Sequence, residues 1–142
     1  MEFEHRISIN ASAANIFAIY ENVGAWSSWD PDVKSASIDG LFEVGSMGKL
    51  KPVSGPESKI LFMEVVKDKL FTVTSRLPLC KMTFEHVLEP NGKDTAVLHR
   101  VSFTGLLSPI FGRLIGTGIS KGLPHTLKGL KVAAESGCKQ VN

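Results

Sequence analysis

Polar and apolar residues alternate from the start of the chain. Phe3, His5, Ile7 and Ile9 fall on one side of an extended segment, and Glu2, Glu4, Arg6 and Ser8 fall on the other. This predicts a half-buried strand with a charged outer face. The period then changes. Ser12 is placed to cap a helix, with Asn15 at the third position after it. Ile16, Phe17, Ile19 and Tyr20 give that short helix an apolar side, and Gly24 breaks it. Trp26 and Trp29 are spaced so that one turn of helix puts both rings on one face. Pro31 holds Asp30 out of helical conformation.

Val33 to Thr104 reads as strands separated by turn signals at Asp39-Gly40, Ser54-Gly55-Pro56, Lys67-Asp68-Lys69, Leu77-Pro78 and Pro90-Asn91-Gly92-Lys93. One inner face carries Phe71, Val73, Ser75 and Leu77. A second carries Cys80, Met82, Phe84, His86 and Leu88, and a third Val97, His99, Val101 and Phe103. Ile60 to Val66 is apolar on both faces. Alternation does not orient it, and Glu64 is left open as an inward acid.

The closing segment changes to helical period. Ser108 and Pro109 fit an N-cap and first helical position. Phe111, Ile115, Ile119, Leu123, Leu127, Leu130 and Ala134 then form one stripe at steps of three and four. Gly137 is the expected stop. Gly112, Gly116, Gly118 and Gly122 weaken the first half by about 0.5–1 kcal/mol each against Ala, and Pro124 is expected to kink the helix. Close packing against the sheet and a deformable lid both account for these glycines.

A chain of 142 residues is one domain's worth. A net charge of +2 without a basic run argues against a nucleic-acid partner. The Gly105–Gly118 stretch is too short for stable membrane insertion and contains Pro109 and Arg113. Met1-Glu2-Phe3-Glu4 is unlike a signal peptide. The expectation is therefore a cytoplasmic protein with Cys80 and Cys138 as free thiols, and the Asn10-Ala11-Ser12 sequon carries no weight. No nucleophile motif, phosphate-binding glycine loop or cofactor motif stands out, and Gly45-Ser46-Met47-Gly48 precedes a strand rather than a helix. The expected cofactor is none, and nothing marks an oligomeric state.

Three matches, in order along nearly the whole chain, carry a resemblance: Trp29-Asp30-Pro31, then His99-Arg100-Val101-Ser102-Phe103-Thr104-Gly105 leading into the final helix, then Gly122-Leu123-Pro124 followed by Leu127, Leu130, Lys131 and Glu135. The chain resembles the polyketide cyclase/dehydrase branch of the START/birch-pollen-allergen (SRPBCC) superfamily. The resemblance implies an α+β helix-grip fold. In it a curved antiparallel sheet wraps a long C-terminal helix, with two short helices after the first strand and the first strand beside the last. It also implies a largely apolar cavity between sheet and helix. Concave sites of this kind favour pockets. The expected ligand-binding set is His5, Phe71, Val73, Met82, Phe84, His86, His99, Val101, Phe103, Ile115 and Ile119.

His5, His86 and His99 lie on inner faces, three of the four histidines. A four-residue loop Asn91 to Asp94 would set His86 opposite His99, whereas a two-residue Asn91-Gly92 turn would set it opposite Val97. Either register makes the two rings neighbours. The row reads as buried groups bonded to one another or to hydroxyls, as a pocket base or donor with His99 and His86 as catalytic candidates, or as a three-His metal site of no recognised zinc spacing. His125 is expected in solvent. Trp26 and Trp29 read as core anchors or as a gate, and Arg100 with Glu85 as a surface pair. The leading function is a cavity protein for a hydrophobic or aromatic molecule (lipid-, quinone- or polyketide-like). The alternatives are a polyketide cyclase or aromatase and a protein-interaction or chaperone-associated module. Pocket Arg and Tyr residues, which the resemblance leads one to expect in a cyclase, are not evident: the single tyrosine, Tyr20, lies on the first helix.

Overall fold

The computed structural model describes the backbone of residues 1–141 and the side chains of residues 1–136. β1 (Glu2–Ile9) is followed by α1 (Ala13–Glu21) and a 3-10 turn (Val23–Ser28). The strands β2 (Val33–Asp39), β3 (Met47–Pro52), β4 (Ser58–Val66), β5 (Leu70–Leu77), β6 (Cys80–Asn91) and β7 (Asp94–Thr104) come next. The chain closes with α2 (Ser108–Phe111), a π-helical turn (Gly112–Gly116) and α3 (Thr117–Val141). All seven strands form one sheet in the order β1-β7-β6-β5-β4-β3-β2, so the first strand lies beside the last and every neighbouring pair is antiparallel. This is the helix-grip architecture that the resemblance implies.

Local chemistry accounts for the element ends. Ser12 caps α1 by accepting the Asn15 amide at 3.1 Å. Ser108 does not cap the closing helix: Leu107 holds the N-cap position and Pro109 falls in the first turn, where its missing N–H costs nothing. The helix does not stop at Gly137, because the α3 backbone continues to Val141. The Cys138 thiol and Lys139 lie outside the described side chains. Gly105 adopts φ +111°, and a Cβ there would press on the Leu79 backbone, so the turn from β7 into α2 requires glycine.

The sheet and helix meet over a core of Ile16, Phe17, Tyr20, Phe62, Phe71, Val97, Leu127 and Leu130, all almost fully buried. Cys80, Val101, Phe103 and Leu123 form a second cluster under the earlier part of the helix. The segment around Trp29-Asp30-Pro31 is fastened to α3. Asp30 Oδ1 accepts Thr126 Oγ1–H at 2.9 Å, and the Trp29 carbonyl lies where a Cβ on Gly129 would sit. Farther along, Lys131 pairs with Glu135 at 3.0 Å and donates to the Ser8 carbonyl at 2.9 Å, while Glu135 accepts the Asn10 amide. These bonds tie α3 to the end of β1. The helix glycines are mostly close-packing positions: a Cβ at Gly112 would strike Met1, at Gly116 the Phe3 ring, and at Gly122 the Asp32 carboxylate. Gly118 faces open space.

Two orientations depended on register. In β4 a bulge between Phe62 and Glu64 resets the alternation, so Ile60 and Phe62 point into the core while Glu64 pairs with outward Thr72 and is exposed. Glu64 is therefore not an inward acid. On the outer face Arg100 sits opposite Glu85 and donates from Nη1 to Oε2 at 2.9 Å, with Glu2 and Glu4 within 4.0 Å.

Candidate functional site

The β6–β7 hairpin builds the centre of the site. Its register pairs Asn91 with Asp94 and Pro90 with Thr95, and Gly92 turns the chain at φ +67°. His86 therefore stands directly opposite His99, and the two rings meet edge to face with centroids 4.6 Å apart. Each ring has a different protein partner. His86 Nδ1 lies 3.1 Å from the Phe71 carbonyl and stacks on the Phe71 ring at 3.9 Å. A carbonyl only accepts, so Nδ1 carries the hydrogen, and in the neutral ring Nε2 keeps the lone pair. His99 Nε2 lies 2.8 Å from Tyr20 Oη in a fully buried bond.

Burial sets the protonation. Desolvation lowers the His86 pKa to about 4, with the Phe71 hydrogen bond acting in the opposite direction. His99 is held well below its ordinary value by burial and then by its neighbour His86. Burial pushes the Tyr20 phenol well above its ordinary value. At neutral pH the trio is therefore uncharged: a phenol and two neutral imidazoles.

A cavity of about 540 Å³ lies between the sheet and the first half of the closing helix. Phe71, Val73, Met82, Phe84, His86, His99 and Val101 line it from the sheet, and Ile115 and Ile119 line it from the helix, as the sequence predicts. Leu50, Val53, Ile60 and Leu123 complete the apolar wall, and Trp29, Asp30, Ser75 and Thr126 add polar atoms. Val53 and Leu114 are lining residues that are also well exposed, so the cavity opens between the β3–β4 turn and the helix.

Two expected residues do not line it. His5 shares the face of His99 and is its direct partner across β1 and β7, yet it is exposed because β1 is the outermost strand of the sheet. Phe103 is almost fully buried, but its ring packs against Phe3 at 6.4 Å and beside Gly116, behind the wall. Among the described residues, no group of three His, Cys, Asp or Glu side chains could hold a metal ion. His125 is exposed, as expected. The two tryptophans divide. Both line the cavity, but Trp26 is buried, donates Nε1–H to the Tyr20 carbonyl and packs on Phe71, whereas Trp29 is half-buried with its ring 6.1 Å from Tyr20.

Sequence reasoning missed Tyr20 and Asp30. Tyr20 lies on the apolar side of α1, and its isolation as a polar group on that side was the available signal. Asp30 lines the cavity and binds the Asp32 amide and Thr126; burial raises its carboxyl pKa, those two hydrogen bonds lower it, and nearby Asp32 adds to the rise.

No protein-family model matches the chain, and no curated protein matches it in sequence. Solved structures do match in three dimensions. The di-domain ARO/CYC StfQ from the steffimycin biosynthetic pathway superposes with a TM-score of 0.79 at 13% identity, covering 97% of this chain and 51% of that one. The chain thus spans about half of that di-domain protein. A START superfamily protein from Mycobacterium smegmatis gives 0.75 at 17% identity over 95% and 97% of the two chains. Norcoclaurine synthase from Thalictrum flavum, in complex with dopamine and hydroxybenzaldehyde, gives 0.73 at 19% identity over 96% and 87%. These likenesses show that the chain has the helix-grip fold of those structures.

Proposed function

We propose that this is a cytoplasmic cavity protein that binds a hydrophobic or aromatic small molecule of lipid-, quinone- or polyketide-like character. The cavity itself carries this reading. A volume of about 540 Å³ lies within the range of small-molecule sites, and its wall is mostly aliphatic and aromatic with a few polar groups at set positions. The cavity borders the core directly, since Ile60, Phe71 and Val73 belong to the core and also line the cavity. Among the described residues no helix is long and apolar enough to cross a membrane. Native mass spectrometry of protein purified without detergent tests the reading. A co-purified organic molecule, or displacement of a bound apolar dye by aromatic compounds, is the expected result. A cavity that takes up neither ligand nor dye overturns it.

A second reading, an enzyme of the cyclase or aromatase kind, rests on one observation: His86 presents an unprotonated Nε2 on a residue of the cavity wall, beside the His99–Tyr20 pair. A neutral imidazole there can accept a proton from an acidic carbon or hydroxyl. Turnover of a poly-β-ketone analogue by the wild-type protein and its loss in His86→Phe would favour this reading over simple binding.

A further inference from the structure

The β3–β4 turn, the β5–β6 turn and the start of the closing helix come together at one end of the sheet, beside the mouth of the cavity. β4 begins at Ser58 and runs antiparallel to β5, so the β3–β4 turn stands at the same end as Pro78-Leu79. The Leu107 amide donates to the Leu79 carbonyl at 3.0 Å, and the Ile110 amide donates to the Leu107 carbonyl at 3.1 Å. Large apolar side chains face water here: Leu106 is 80% exposed, Leu114 74%, Leu79 66%, Val53 62% and Ile110 53%. Met1, also exposed, lies against Gly112 of the same helix. Val53 and Leu114 border the cavity, but Leu79, Leu106 and Ile110 take no part in its wall, so a bound ligand does not account for them. Apolar surface gathered in this way marks a contact site.

Leu79 gives a second sign. Its φ of +52° lies in the left-handed region, which glycine or asparagine occupies at little cost. A leucine there is both strained and exposed, so neither turn geometry nor packing explains the choice.

Charge gives a third. Arg76 and Lys81 pair across the base of the β5–β6 turn, Arg113 precedes Leu114 on the helix, and all three are exposed. No acid occurs from Lys69 to Phe84 or from Thr95 to Ala134. Glu57 is the single acid of the β3–β4 turn, and Glu2, next to Met1, lies 4.0 Å from Arg100.

We infer that this end of the protein docks on the surface of an anionic lipid bilayer, with the leucines in the interfacial layer and the three cations over the headgroups. The apolar side chains come from separate turns and project one by one. A deformable bilayer interface accepts such a tip, whereas a folded partner would need a matching hollow for each side chain. Docked in this way the protein lies on the membrane and does not span it, and the cavity mouth faces the apolar layer. The docking surface goes beyond the cavity-protein reading and does not depend on it.

Co-sedimentation with vesicles tests the inference, with phosphatidylcholine alone and with phosphatidylcholine mixed with phosphatidylserine. The wild-type protein should bind the mixed vesicles and bind the zwitterionic ones much more weakly. Arg113→Gln should weaken binding to mixed vesicles roughly fivefold. Leu79→Asn combined with Leu106→Ser should weaken it roughly tenfold or more. Neither variant should melt below the wild type, because the altered side chains are exposed. Uptake of an apolar dye should be the same in the double variant, which keeps the cavity reading separate from this one. No binding to mixed vesicles, equal binding to both kinds, or undiminished binding by the double variant overturns the docking proposal. Self-association of the wild type that the double variant loses, without vesicle binding, assigns the patch to a second copy of the chain and overturns it too.

Discussion

Tyr20 Oη and His99 Nε2, separated by 79 residues in sequence, are joined by a 2.8 Å hydrogen bond inside the protein. The bond links α1 to the middle of β7 and places the phenol ring against Trp29, Phe71 and His86. It is the closest tie between the short N-terminal helix and the histidine pair, and it holds the His99 ring edge-on to His86. Without it the imidazole would be a buried polar group lacking a partner at that nitrogen.

Tyr20→Phe removes the hydroxyl and leaves the ring. Stability should fall by about 1–3 kcal/mol, the cost of stranding a buried partner. Urea unfolding measures it. A change below about 0.5 kcal/mol would mean that His99 Nε2 finds water instead.

The two imidazoles make stability depend on pH. Both are neutral in the folded protein well below the pH at which they protonate in the unfolded chain. Unfolding therefore takes up protons, and stability rises with pH across that window. Going from about pH 6.5 down to about 4, each ring should lower stability by up to about 1.4 kcal/mol per pH unit, less for His86 because it borders the cavity. Asp30, with its raised carboxyl pKa, works in the opposite sense at the acid end. Unfolding free energies measured at half-unit intervals should slope in this direction, and a flat profile would contradict buried neutral rings.

The tryptophans should separate by phenotype. Trp26→Ala empties a buried site and should cost about 3–5 kcal/mol. Trp29→Ala, at a half-buried cavity wall, should cost less stability and more ligand affinity. A larger melting loss for Trp29→Ala would return it to the anchoring role that its sequence position suggests.

Two glycines on one helix should respond with opposite signs. Gly118→Ala meets open space and should stabilise by up to about 1 kcal/mol through helix propensity. Gly129→Ala would drive a Cβ into the Trp29 carbonyl and should destabilise sharply. Thermal melts of the two variants make the comparison.

The closing helix should open from its first half. The stretch from Ser108 to Ile119 contains a π-helical turn, and Ile110 and Leu114 are exposed, whereas Leu127, Leu130 and Ala134 are buried. Amides in the first half should exchange faster. Uniform protection along the helix would argue against a mobile cover for the cavity.

Much of this was legible in the chain. Alternation assigned the inner faces of β5, β6 and β7, because a strand's side chains can only point two ways. That placed His86, His99, Val73, Phe84 and Val101 together before any contact was known. The helix stripe was readable for the same reason, at a different period. Where alternation broke down, only the assembled sheet could decide. The bulge after Phe62 turned Glu64 outward, a choice that an apolar run on both faces leaves undetermined. His5 kept its predicted side yet lies in solvent, because parity gives direction while depth depends on what covers the strand, and β1 is the edge. Tyr20 and His99 became partners through packing between elements distant in sequence. Local periodicity encodes which way a side chain faces. What it meets there is fixed by tertiary contacts, to which no short window of sequence is sensitive.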